Sequence, residues 1–390
     1  MAARHEPLRT TFAAADGVPT QIVHPAEPVD VRLTDVSNAP DPERAGRDIL
    51  WREAKTPFDL ERGPLLRMHL ARVAGGRHLL MRVSHHLVCD RTSWRIFFGE
   101  VIAAYEGMRN GSAPRADEHR SQYADFAAWQ RRTLRPDGPR YREQVAWWRQ
   151  ALAPTPPRLE LPFRRPTPDP NATAPDAFFH WGIDPSVAAT LDELGREQRV
   201  TYYAVRLALF SALLALETGQ EQVTIGAYVD TRRLPETRTM FGYFSNLIAL
   251  VLPFDPSASL RGWIAKVGFL LVEAIAHSDL PHQLVREELA VAGGSAPEID
   301  AIFAVHYPLP EIPFGEAEPL LPNPRLLDVP WGFTFTLDQG DEARRCLTTF
   351  DAHLYDPASV RRFVDRYVAL AEVAGANPDR RLGDLHPTLR

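Results

Sequence analysis

Two runs of proline constrain this chain more than any other feature. Pro154 to Pro175 holds eight prolines in 22 residues, and Pro308 to Pro330 holds seven in 23. Each proline fixes φ at about −65° and removes a backbone donor, so neither stretch can be a helix interior or a central strand. Both read as extended connections over a surface. The first divides the 390 residues into an N-terminal lobe, 1–158, a crossover linker, 159–176, and a C-terminal lobe, 177–390. Each lobe is long enough to bury a core.

Between the breaks the pattern alternates between strand and helix. His78 to His86 is short, apolar-rich and followed by a turn, as a buried strand requires. Ser93 to Tyr105 carries Trp94, Phe97, Phe98, Val101, Ile102 and Tyr105 at helical spacing. In the second lobe the spacing predicts helices over 204–216, 260–276 and 358–373 and strands over 222–229 and 247–253. The fold class is α/β, with parallel and antiparallel pairing left open.

Composition excludes several functions. With 44 Lys+Arg against 50 Asp+Glu the net charge is −6, so no broad basic field exists to track nucleic-acid phosphates. Lysine occurs only at 55 and 266, and this uniform preference for arginine makes a lone arginine weak evidence of function. Cys89 and Cys346 lie far apart and fit neither a disulfide framework nor a metal knuckle, which points to a reducing cytoplasm. No stretch reaches the roughly 18 apolar residues that a membrane span needs. The best candidate, Tyr202 to Leu216, contains Arg206. A soluble, cytoplasmic protein without membrane or nucleic-acid partners is the expectation.

The most informative residues are His85-His86-Leu87-Val88-Cys89-Asp90. Two histidines and an acid suggest a metal site, but successive strand side chains point to opposite faces, so His85 and His86 do not easily reach one ion. One histidine directed into a cavity and the other packed behind it fits the pattern better. Asp90 then has two roles open to it, locking the turn through a buried charge pair or capping the helix that follows.

His85-His86-x-x-x-Asp90 resembles the HHxxxDG motif of the condensation domains of nonribosomal peptide synthetases. Its neighbours resemble that family's other motifs in order. Arg4 to Thr10 is similar to RHExLRT, and Pro57-Phe58-Asp59-Leu60 with Gly63 to Arg67 is similar to the stretch before the histidines. Tyr123 to Gln130, Trp147-Trp148 and Leu161-Pro162 resemble the block leading to the crossover. Gly226 to Pro235, Gly242-Tyr243-Phe244-Ser245-Asn246 (GFFxN), His277 to Pro281 and Pro378 to Leu385 follow in the second lobe.

The resemblance implies two chloramphenicol-acetyltransferase-like lobes forming a V-shaped pseudo-dimer with a central tunnel. It implies an acyltransferase that passes an acyl or peptidyl group, held as a thioester on a carrier's phosphopantetheine arm, to an amine. Partners would be the donor peptidyl carrier, an acceptor carrier where the amine is tethered, and a small-molecule amine or aminoacyl acceptor. No cofactor or metal would be bound. Residue by residue, His86 falls on the catalytic histidine, with His85, Asp90 and Arg232 supporting it; Asp90 and Arg232 fall on a structural ion pair. Arg91, Asn246 and Trp331 fall near the tunnel and substrate. Such activity belongs to secondary-metabolite and antibiotic biosynthesis.

Three departures matter. The motif glycine after the acid is Arg91, which bears on whether the chain catalyses at all. Trp331 to Thr336 replaces an FDL-like segment. The chain starts inside the RHExLRT block, so the family's opening strand and helix, with LSxxQxxLW, are expected to be missing from the N-terminal lobe. Alternatives within the superfamily are ester formation and epimerisation, the latter suggested by Ser93-Trp94-Arg95-Ile96 but lacking its EGHGR-like stretch. A non-catalytic carrier-docking module is the alternative from another class.

Overall fold

The computed structural model describes residues 1–111, 121–153, 155, 157–167, 176–307, 332–341, 343 and 345–385. The proline-rich stretch 308–330, Trp331 and residues 168–175 of the crossover lie outside the described residues. Two compact units result, interleaved in sequence. The first comprises Met1–Arg132 and Arg232–Phe244, and the second Thr133–Thr231 with the described residues from Ser245 onward. The described residues of 133–158, which the sequence pattern places in the N-terminal lobe, group with the second unit.

In the first unit β1 (Thr10–Ala15) and β2 (Val18–Val23) form an antiparallel hairpin. Asp16 and Gly17 turn it with φ of 52° and 78°, the doubly positive geometry that two-residue hairpins favour. Next, β3 (Val31–Asp35) lies parallel to β4 (Leu66–Arg72), and β5 (His78–Ser84) runs antiparallel to β4. Between β3 and β4 comes α1 (Pro42–Lys55), capped by Asp41 accepting from Arg44 N; its Leu50 packs on Ala71, Val73 and Leu79. A second helix, α2 (Arg91–Arg109), buries Trp94 and Phe97 against Leu8, Leu65, Leu66 and Phe241. Arg4 and His5 are tied to this helix at Glu100, by 3.2 and 2.7 Å contacts. The short helix α3 (Tyr123–Thr133) completes the unit.

Strand β5 ends at Ser84, two residues before the sequence pattern places its end. His85 N still donates to Leu65 O, the last rung of the ladder. The His85 side chain then accepts from Leu87 N and turns the chain into a single 3-10 turn, His86–Val88. The two histidines therefore differ in direction because one caps a turn and the other begins it, not because they alternate along a strand.

The second unit holds α4 (Pro139–Ala151), β6 (Asp176–Trp181), α5 (Pro185–Gln198), α6 (Tyr202–Thr218), β7 (Gln222–Asp230) and β8 (Ser245–Pro253). These are followed by α7 (Leu260–Ala276), α8 (His282–Val291), β9 (Ile302–His306), β10 (Phe333–Asp338), β11 (Cys346–Asp351) and α9 (Pro357–Ala376). Six strands order as β6-β11-β10-β9-β7-β8, with β9 parallel to β7 and β10 and the other pairs antiparallel. Helix α6 is apolar on every side because α5, α7, α9 and the sheet surround it. Of its two charged residues, Arg206 is fully buried and pairs with Asp192 at 2.6 Å, and Glu217 in the last turn pairs with Arg366. Among the described residues no single helix is long and apolar enough to cross a membrane.

A cavity of about 240 Å³ opens beside α8, faced by His282, Arg286, Arg158, Arg164, Glu298 and Asp300. Asp300 accepts from Arg158 at 2.5 and 2.8 Å and from Arg164 at 3.0 Å. Burial, reinforced by the Arg286 charge, pushes His282 from 6.5 down to about 4. The folded state therefore resists protonation that the unfolded chain accepts, so stability present above pH 6.5 is lost as the pH falls to about 4. His282→Gln is expected to flatten that dependence in thermal melts. A wild-type to variant difference in melting temperature that stays constant through the window would contradict this.

Candidate active site

His86 opens the 3-10 turn after β5 and is exposed, while Cys89 and Asp90 behind it are buried. Its Nδ1 lies 2.7 Å from the Cys89 carbonyl oxygen. A carbonyl can only accept, so Nδ1 carries the proton and, in the neutral ring, Nε2 holds the lone pair. No hydrogen-bond partner occupies Nε2 among the described residues. His85 has the opposite arrangement. Its Nδ1 accepts from Leu87 N at 3.2 Å, which requires that nitrogen to be unprotonated, and burial followed by the neighbouring His86 holds its pKa below the usual histidine value. Adjacent histidines thus take opposite tautomers, and only His86 presents a basic nitrogen outward.

Asp90 fills both roles open to it. As N-cap of α2 it accepts from Ser93 N and Ser93 Oγ, both at 2.8 Å, in a capping box. The same carboxylate accepts from Arg232 at 2.6 and 2.9 Å and from Phe244 N at 2.9 Å. The Asp90 and Arg232 side chains are 2% and 4% exposed, so this is a buried, bidentate ion pair with its remaining lone pairs satisfied. Arg232 also donates to the carbonyls of Met240 and Gly242 and lies 4.1 Å over the Phe244 ring. The whole segment Arg232–Phe244 is in this way folded around one carboxylate.

Backbone contacts tighten the segment further. Ser93 Oγ also lies 2.7 Å from Gly242 O, so its single proton is shared between that carbonyl and Asp90, and Gly242 N donates to Ser93 Oγ at 3.0 Å. Gly242 cannot be any other residue without rearrangement, because a Cβ there would lie 2.2 Å from the Tyr123 ring. Tyr123 donates its hydroxyl to Tyr243 O at 2.7 Å. Burial, with the Asp90 charge and Tyr243 adding to it, pushes that hydroxyl up to about 12, so it remains a donor. Tyr243 then meets the His86 ring edge to face, with centroids 5.1 Å apart and planes at 89°.

Cys89 is no nucleophile. Burial pushes its thiol up to about 11, and its carbonyl, not its sulfur, serves the site. Arg82 stacks 3.4 Å from the Trp94 ring; burial lowers it to about 10, leaving it charged near neutrality. Arg91 is the first residue of α2, half-buried, and not among the residues with positive φ. The backbone there does not call for glycine. In the second unit, Asn246 donates through Nδ2 to Ser278 O and Leu280 O at 2.9 and 2.8 Å, which fixes the turn before α8. Only its Oδ1 is left to meet a ligand. Among the described residues no group of three His, Cys, Asp or Glu is placed to hold a metal.

The model of the condensation domain family matches residues 1–388. A linear gramicidin synthase from Brevibacillus parabrevis is 31% identical over 384 residues, covering 96% of this chain and 5% of its own length. The chain therefore spans only a small fraction of that relative. Among solved structures, the condensation domain from the monacolin K polyketide synthase MokA superposes with a TM-score of 0.81 at 22% identity, covering 98% of this chain and 88% of its own. The X-domain from teicoplanin biosynthesis, solved in complex with OxyB, gives 0.77 at 25% identity, covering 98% and 85%.

Proposed function

The chain belongs to the condensation-domain family, acyltransferases built from two chloramphenicol-acetyltransferase-like lobes, and from that premise we propose that it forms an amide between a carrier-bound acyl or peptidyl thioester and an amine. The observation that carries this reading is the His86 tautomer. Nδ1–H is held by the Cys89 carbonyl, so the exposed Nε2 is the atom that meets the substrate. An acceptor α-amine has a pKa of ~7.7–8.0, so freeing its lone pair near neutrality costs only about 1 kcal/mol. His86 therefore orients the amine through Nε2 and takes its proton as the nitrogen attacks the thioester carbonyl. The C–N bond forms, the C–S bond breaks, and the proton passes from His86 to the departing pantetheine thiolate.

Donor and acceptor carriers follow as partners, and the substrates bring their own phosphopantetheine arms. The test supplies a loaded donor carrier with an amine acceptor, an alcohol acceptor or none, and reads product mass. An amide supports the reading; an ester, an inverted stereocentre or unchanged donor replaces it.

Two observations favour a second reading, a module that recruits a partner enzyme without catalysis. The X-domain it resembles was solved as a complex with OxyB, and Arg91 stands where the family has glycine. Because Arg91 takes an ordinary helical conformation, Arg91→Gly is expected to change turnover by no more than about twofold, less than ~0.5 kcal/mol of barrier. A silent parent that gains turnover with glycine would support the second reading instead.

A further inference from the structure

We infer that Tyr243 is a positioning residue for His86, holding the imidazole so that Nε2 keeps one direction. The inference rests on the reading of His86 given above. Among the described residues the imidazole has one hydrogen bond, from Nδ1 to Cys89 O, which fixes one end of the ring and permits a swing about that bond. The Tyr243 ring, perpendicular to the imidazole with centroids 5.1 Å apart, holds it in an edge-to-face contact that such a swing would break. Tyr243 is itself fixed on both sides. Its own carbonyl accepts from Tyr123 Oη, the following Phe244 N donates to Asp90, and the preceding Gly242 is locked to Ser93. The Asp90–Arg232 pair therefore reaches His86 through Tyr243, with no direct hydrogen bond between Asp90 and the imidazole among the described residues.

The aromatic ring holds the imidazole, and the hydroxyl is not required for it. Tyr243→Phe keeps the ring and is expected to turn over within about twofold of the parent. Tyr243→Ala is expected to lower single-turnover kcat about tenfold, inside the ~10²-fold that misplacement of a reacting group can cost, with KM for the acceptor unchanged. Nitrogen-15 spectra of the His86 ring give a readout independent of activity. The parent and Tyr243→Phe should show the single Nδ1–H tautomer, and Tyr243→Ala a mixture of tautomers. Tyr243→Leu, which keeps an apolar side chain but no aromatic ring, covers the case in which alanine fails to fold, and is expected to behave as alanine does.

Full activity and a single tautomer in both the alanine and leucine variants overturn the inference. So does a phenylalanine variant as damaged as alanine. His86→Ala, assayed alongside, separates the two failures. If it is inactive while Tyr243→Ala is unaffected, only the positioning role falls; if it retains activity, the reading of His86 falls, and the spectra still decide what Tyr243 does to the ring.

Discussion

Replacing His86 with alanine slows single-turnover amide formation between two loaded carriers by at least about a hundredfold, the lower end of the 10²–10⁴ that a proton-transfer group supplies. In barrier terms this is ~3–5 kcal/mol. The size follows from what is lost. Without Nε2 the turn no longer offers the amine proton an acceptor at that position, and the zwitterionic intermediate must deprotonate into water. The loss does not extend to folding, because His86 is exposed and its side-chain hydrogen bond to the Cys89 carbonyl meets a group that the turn already positions. Near-parental turnover by a folded His86→Ala protein would remove His86 from the mechanism.

Cutting the Asp90–Arg232 pair has its effect on the fold. Arg232→Ala leaves the Asp90 carboxylate buried with its counter-charge gone, a change that costs ~3–5 kcal/mol in comparable sites. Denaturant midpoints measure it, and a loss below about 1 kcal/mol would show that water or a neighbour replaces the guanidinium. Asp90→Ala removes the helix cap as well and should be at least as severe, since a lost cap alone costs ~1 kcal/mol. The double variant should be less unstable than the sum of the two, because the second substitution removes a charge already unpaired. Activity is a poor readout here, as it disappears with the fold.

Parts of this site were legible in the sequence. His85-His86 and Asp90 stand out as polar residues at the end of an apolar strand. Arg232, 142 residues from Asp90, does not; its position gains meaning only by resemblance to a family motif. The two roles open to Asp90, cap and charge partner, turn out to be one arrangement, since a carboxylate has enough lone pairs for both.

What escaped the sequence has a common cause. The Cys89 carbonyl, which sets the His86 tautomer, is a backbone group, and any residue at 89 offers the same oxygen. The early end of β5 depends on the His85 side chain capturing Leu87 N, a local competition that apolar patterning does not register. Tyr243 was visible only as a letter of the GFFxN block, and Ser93 only as part of a helix and of the Ser93-Trp94-Arg95-Ile96 run. Their contacts exist because Arg232–Phe244 folds onto the start of α2. The family's glycine at 91 suggests special backbone angles, whereas the helix begins there with ordinary ones.

The interleaving of the two units bears on how such proteins can be recombined. The connection between β7 and β8, strands of the second unit, supplies Arg232–Phe244 to the first. A chimera spliced at the proline-rich crossover, the obvious seam, would take the His86 turn from one parent and its Asp90 counter-ion, its clamping carbonyls and Tyr243 from the other. Compatibility at that splice is decided by about a dozen residues well downstream of it. Moving 232–244 together with the N-terminal portion keeps the site within one parentage, and makes the transferable unit discontinuous in sequence.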